Sequence, residues 1–255
     1  VALPRANDLP GNFKRSDFKK FLKENLRTAR IVFSVVGNIG QEHVEKLAKK
    51  YLEVPTFIAN PVRKKVTTTK ASEKIVRRQV KQSRAMLGGL SYSIHDKNRI
   101  PFSLLVNILG GPAMNSRLNA VLREKHGLVY SVEAHNYTFT DTGLFSIYFG
   151  TEPNKLDKCL MLVKKEMARM CETPLTPKQL SRAKEQMKGQ LAFSEENKLN
   201  VMLMMGRAIL DLGRVPSIEE VFLSIDAIDA QKILDVSNTM FNDKKLSYLM
   251  MLPEN

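Results

Sequence analysis

Between Glu53 and Ser72 the chain carries Pro55, Pro61 and the polar run Thr67-Thr-Thr69, with Arg63-Lys-Lys65 between them. Each proline removes a backbone donor and fixes φ, so neither a helix nor a paired strand can run through the segment. The chain must therefore fold as two patterned blocks joined by a linker. The first block reads helix, strand, helix. Ser16 is placed to cap a helix whose apolar residues Phe18, Phe21, Leu22 and Leu26 recur at helical spacing. Ile31-Val-Phe-Ser-Val-Val36, closed by Gly37, is rich in β-branched residues and predicts a buried strand. From Gln41 to Leu52, residues Val44, Leu47, Ala48 and Tyr51 share one face of a second helix.

After the linker the pattern restarts. Strands are predicted at 75–80 and 85–92, then a helix over 102–109 with Pro101 in its first turn. Asn115 is a cap candidate for a further helix that Gly127 can end. The segments 128–137 and 143–150 alternate around Asp141-Thr-Gly143 and predict a β-hairpin. Helices follow over 154–172, from Pro177 past Ala192, over 199–212 and over 229–241, with a last strand at 246–252. Thr176-Pro-Lys-Gln179 and Ser217-Ile-Glu-Glu220 both read as capping boxes. The order helix, turn, apolar run in 16–36 returns in 229–251, as if each closed a similar α+β domain.

Composition limits the class. With 43% hydrophobic and 26% charged residues over 255 positions, the chain can bury a core and is not disordered. No apolar run approaches the ~20 residues of a membrane span. Two cysteines, Cys159 and Cys171, make no disulfide framework, and their spacing fits a single helix. The first residue is Val1, not Met, and the first block is too short for a whole domain, so the chain reads as processed or as a piece of a longer one. The compartment stays open, with the cytoplasm favoured over the periplasm.

The formal charge is +14, and the excess is concentrated in Arg63, Lys64, Lys65, Lys70, Lys74, Arg77, Arg78, Lys81 and Arg84 against the single acid Glu73. A nucleic-acid surface can look like this. No aromatic residue is interleaved to stack on a base, so a solvated linker and one exposed strand face account for it better.

Metal and nucleophile patterns are missing. His43, His95, His126 and His135 form no i,i+3 or i,i+4 pair and no His-x-x-Glu-His or His-Glu-x-x-His motif. There is no Gly-x-Ser-x-Gly. Leu109-Gly-Gly-Pro-Ala-Met-Asn115 follows a helical pattern and lacks Gly-Lys-Ser/Thr, so a tight connection accounts for it better than a phosphate loop. Met202, Met204 and Met205 read as core filling.

The segment Asn115-Ser-Arg-Leu-Asn-Ala-Val-Leu-Arg-Glu-Lys-His-Gly-Leu-Val-Tyr-Ser131 is the most specific in the chain. Asp141-Thr-Gly-Leu-Phe145 and Gly150-Thr-Glu-Pro153 follow it. Together they resemble the second-domain signature of the pitrilysin/insulinase-type zinc metallopeptidases, which include the mitochondrial processing peptidases and many bacterial zinc proteases. Phe33-Ser-Val-Val-Gly37 and Leu109-Gly-Gly111 extend the resemblance over nearly the whole chain.

The resemblance implies an α+β fold, an antiparallel-rich sheet covered by helices on one face, as in the repeated domain of the pitrilysin/insulinase (LuxS/processing-peptidase-like) fold. It implies that 1–55 is the C-terminal end of a first, zinc-bearing domain, 56–72 a linker, and 73–255 a second domain of the inactive type. It also implies Zn2+ in the complete enzyme, held by an inverted His-x-x-Glu-His motif that this chain lacks. Arg123 and Tyr130 correspond to the Arg and Tyr that grip substrate in the family.

A guanidinium and a phenol donate hydrogen bonds suited to peptide carbonyls and to the oxyanion of amide hydrolysis. Neither is a general base or a metal ligand here, so the chain alone is expected to be inactive. On spacing alone, Arg123 would pair with Glu124 or a neighbouring acid and Tyr130 would pack in the sheet. The expected partners are a peptide substrate and the zinc-bearing half or subunit, in a homodimer or heterodimer. Whether the chain is a fragment or a zinc-free subunit stays open, and so does a basic binding module for an acidic or nucleic-acid partner.

Overall fold

The computed structural model describes residues 13–25, 31–52, 66 and 70–254. The predicted linker lies largely outside these residues. By internal contact the chain forms two units, one of 1–64 with 198–210 and one of 65–197 with 211–255.

The first unit contains α1 (Arg15–Asn25), α2 (Gln41–Tyr51) and most of a later helix (Lys198–Leu212). Helix α1 starts one residue before Ser16, and the Asp17 carboxylate accepts a hydrogen bond from the Lys14 N–H at 2.8 Å. The run 31–36 is not a strand: it carries no ladder pairing among the described residues, and Ile31, Phe33, Val35 and Val36 are exposed. Its β propensity reports side chains that favour a packed sheet surface, and a ladder needs a neighbouring strand to realise it. The half-buried Val32 and Ser34 meet the later helix instead. The Ser34 hydroxyl donates to the Met202 carbonyl at 2.9 Å, and Gly206 leaves room for the Ser34 and Val32 side chains. Met204 and Met205 of that helix are exposed, so the methionine cluster does not fill a core.

The second unit is built on five strands, β1 (Glu73–Arg78), β2 (Ser83–Ser91), β3 (Val129–Thr138), β4 (Gly143–Thr151) and β5 (Ser247–Pro253). Their order is β1-β5-β2-β4-β3. β1 runs parallel to β5, and the β5–β2, β2–β4 and β4–β3 pairs are antiparallel. One face is buried through Ala85, Leu87, Val132, Ala134, Phe145, Ile147, Phe149 and Met250.

Helices close that face. α3 (Arg99–Gly110) buries Phe102, Leu104, Leu105 and Leu109, and Phe102 meets Phe145 edge-on at 5.5 Å between centroids. α4 (Leu156–Glu172) buries Leu156, Cys159, Val163, Met167 and Met170, a helical stripe. α5 (Pro177–Glu195) opens with the full capping box of Thr176 and Gln179. α6 is the helix Lys198–Leu212 described above, ended by Gly213 at φ 72°. α7 (Ile218–Asp226) is capped by Ser217, whose hydroxyl accepts from the Glu220 N–H at 3.2 Å. The Glu220 carboxylate reaches Arg214 at 2.6 Å. α8 (Ala230–Met240) is capped by Asp229.

Candidate functional site

Arg123 and Tyr130 stand on the two arms of one turn beside β3, the strand at an edge of the sheet. The helix carrying Arg123 begins after Ser116 and widens into a π-helix over Asn119–Lys125. Asn115 does not cap it; its amide donates to Gln186 at 2.9 Å. Leu118 and Leu122 are fully buried and anchor the π-helix, and the Asn119 amide donates to the Ser116 hydroxyl at 2.9 Å. π-Turns within helices are rare and concentrate at functional sites. Gly127 ends the element at φ 56°, a left-handed conformation that a Cβ penalises. Its N–H donates to the Arg123 carbonyl at 3.0 Å, and the Leu128 N–H donates to the Leu122 carbonyl at 2.8 Å.

The outgoing arm is irregular too. Val129 pairs with Thr151 and Val132 with Phe149, so Tyr130 and Ser131 together oppose Gly150 in a β-bulge. The extra residue lets both Val129 and Val132 face the core. Tyr130 is turned out and is 86% exposed, so it does not pack in the sheet. The Arg123 guanidinium carbon lies 5.8 Å from the centroid of its ring. The Arg123 Nε is also 3.6 Å from a Glu124 carboxylate oxygen, with both side chains about half exposed. The expected Arg123–Glu124 pair thus coexists with the Arg123–Tyr130 cation–π contact.

The guanidinium carries several fixed N–H donors, and the phenol adds one beside them. Such a pair can hold a peptide carbonyl or a developing oxyanion, and neither Arg123 nor Tyr130 is a general base. Among the described residues no three His, Cys, Asp or Glu side chains gather as a metal site, so nothing here fits a zinc ion. The histidines are dispersed: His43 on α2, His95 in a turn, His126 at the end of the π-helix, and His135 on β3. His135 lies 3.1 Å from Glu133 and stacks on Tyr137. Burial pushes the Cys159 and Cys171 thiols up, which disfavours the reactive thiolate.

Two features were given no role by the sequence, although Thr151 lies within the Gly150-Thr-Glu-Pro153 segment. Thr151 is buried, and its hydroxyl donates to the Leu128 carbonyl at 2.7 Å across the base of the turn. The uncovered sheet face carries a hollow of about 740 Å³, with Gly88, Ser146 and Ser247 in adjacent register between Met86, Tyr148 and Leu249 on one side and Leu90, Leu144 and Tyr137 on the other. The basic residues Lys74, Arg77, Arg78 and Arg84 are exposed on β1 and β2.

The sequence model described as "Peptidase M16 inactive domain" matches residues 12–187. An uncharacterized zinc protease of Bacillus subtilis, YmxG, is 27% identical over 244 residues, covering 91% of this chain and 56% of the relative. A probable mitochondrial-processing peptidase subunit beta of Schizosaccharomyces pombe is 26% identical over 261 residues, covering 91% of this chain and 54% of the relative. The chain thus spans about half the length of these curated relatives. Among solved structures, a peptidase M16 inactive domain from Pseudomonas fluorescens superposes with a TM-score of 0.81 at 23% identity, over 98% of this chain and 60% of the other.

Proposed function

Because the chain belongs to the peptidase M16 inactive-domain family, we propose that it is the substrate-binding part of a zinc-dependent endopeptidase. Residues 1–55 are read as the end of the zinc-bearing domain, 56–72 as the linker and 73–255 as the inactive-type domain. Arg123 and Tyr130 bind the peptide backbone and donate hydrogen bonds to the scissile carbonyl as it gains negative charge. Zinc belongs to another segment of the same protein or to a partner subunit. The residues of this chain bind and orient; they move no proton.

The observation that carries this reading is the exposed Arg123–Tyr130 pair, in cation–π contact and presented by a π-helix, a left-handed glycine and a bulge in succession. Such irregularities cost backbone regularity and persist where they aim a side chain. The test is peptide hydrolysis by the complete protein and by this chain alone. The chain alone should be inactive until a half carrying His-x-x-Glu-His is added. In the complete protein Arg123→Ala and Tyr130→Phe should each lower kcat by about 10²-fold, the scale of one lost oxyanion donor. Chelator-insensitive hydrolysis by this chain alone, or full activity of both variants, would sink the reading.

A further inference from the structure

We propose that Thr151 is a positioning residue for the Arg123–Tyr130 pair, its buried hydroxyl fixing the turn that joins them. The proposal rests on the substrate-binding reading of that pair. Thr151 is the last residue of β4 and is 3% exposed. Its Oγ1 donates to the Leu128 carbonyl at 2.7 Å and lies 3.5 Å from the Cys159 thiol of α4, which donates to it. The Leu128 N–H is in turn held by the Leu122 carbonyl at 2.8 Å. Both backbone polar groups of Leu128 are therefore anchored, its N–H to the residue before Arg123 and its carbonyl to the sheet.

This anchor is placed where the ladder fails. Thr151 pairs with Val129, and the next regular pair is Val132 with Phe149. The bulge leaves Tyr130 and Ser131 without one-to-one partners, so the ladder alone fixes them less firmly. Tyr130 is two residues beyond Leu128, and Arg123 adjoins Leu122. A single hydrogen bond from Thr151 thus bears on the spacing of both arms, although Thr151 itself touches neither functional side chain. A buried carbonyl that lost it would have to find another partner, and the turn would shift to supply one.

The test uses the complete peptidase that contains this chain. Thr151→Val keeps the shape and removes the hydroxyl; Thr151→Ser keeps the hydroxyl. The valine variant should lose about tenfold in kcat/KM, the serine variant less than about twofold, on the scale by which small misplacements slow positioned reactions. In an Arg123→Ala/Tyr130→Phe background, Thr151→Val should cost nothing further, because a residue acting through the pair has no pair left to act on. Amide hydrogen exchange should also quicken at 127–131 in the valine variant and not in the serine one.

Unchanged exchange in the valine variant, or an equal loss in both backgrounds, overturns the positioning role. Full activity of Arg123→Ala/Tyr130→Phe instead overturns the substrate-binding reading, and exchange still decides whether Thr151 holds the turn. Should Thr151→Val fail to fold, Thr151→Ala removes the same hydroxyl without the added methyl, and the same comparisons apply.

Discussion

The Arg123 guanidinium is shared between the ring of Tyr130, 5.8 Å from centroid to Cζ, and the carboxylate of Glu124, 3.6 Å from Nε. An exposed cation–π contact contributes about 0.5–1 kcal/mol. A surface ion pair contributes about 0–1 kcal/mol. The two are comparable, and on the proposed reading an arriving peptide carbonyl competes with the Glu124 carboxylate for the Arg123 donors. Glu124→Gln should therefore lower KM for a peptide substrate about two- to fivefold while shifting stability by less than ~1 kcal/mol. Steady-state kinetics and thermal melts on the complete protein check this; a raised KM would mean that Glu124 orients the guanidinium for substrate. The place of Arg123 near a helix end, of Tyr130 on the strand that follows and of the Gly127 stop was legible because all three lie in one short ordered motif. The bond that Thr151 makes was not, because it spans 23 residues to Leu128 and depends on a bulge that no local pattern announces.

At the level of elements, β5 is tied at its start by a polar cluster. Asp243 accepts a hydrogen bond from the Tyr248 hydroxyl and lies 3.3 Å from the Lys164 ammonium, which itself sits over the Tyr248 ring. The Tyr248 hydrogen bond, with Lys164 adding to it, holds the Asp243 carboxyl below its usual range. Burial and the hydrogen bond to Asp243 push the Tyr248 hydroxyl up. A carboxylate depressed on folding stabilises the native state above its unfolded pKa, and that contribution is lost as pH falls through the folded value. A phenol raised on folding contributes below its unfolded pKa near 10 and loses that contribution as pH rises beyond it. Asp243→Asn should accordingly flatten the acid limb of a stability-against-pH curve and weaken the alkaline one, as chemical denaturation across pH would record.

The same strand marks what sequence can and cannot give at this scale. The hairpin of β3 and β4, the capping box at Thr176 and the cap at Ser217 are local and were legible from turn and cap chemistry. The order β1-β5-β2-β4-β3 is not local: β5, last in the chain, lies between β1 and β2. Nor could propensity alone reveal that 31–36 has no ladder pairing among the described residues while the similarly ordered 247–253 has two partner strands.

For the whole chain, the +14 charge raises the question of whether the basic excess serves the same site. Lys74, Arg77 and Arg78 lie on β1, and Tyr130 lies on β3, at the opposite edge of the sheet. Four strand spacings of about 4.8 Å separate those edges by roughly 19 Å. That is about twice the ~10 Å Debye length at 0.1 M salt, so the exposed cations of β1, unlike Arg84 two strands nearer on β2, are largely screened from the Arg123–Tyr130 pair. On the proposed substrate-binding reading, a peptide held by that pair should feel them weakly. Lys74→Glu with Arg78→Glu should then change kcat/KM for a neutral peptide by less than about twofold at 0.15 M salt. Raising salt from about 50 to 200 mM should move the unsubstituted enzyme little, whereas a surface gripping 6–10 phosphates would lose about 10³–10⁵ in affinity over that interval. Polyanion binding with that steep slope, abolished by the same two substitutions, would instead assign the basic edge a nucleic-acid partner of its own.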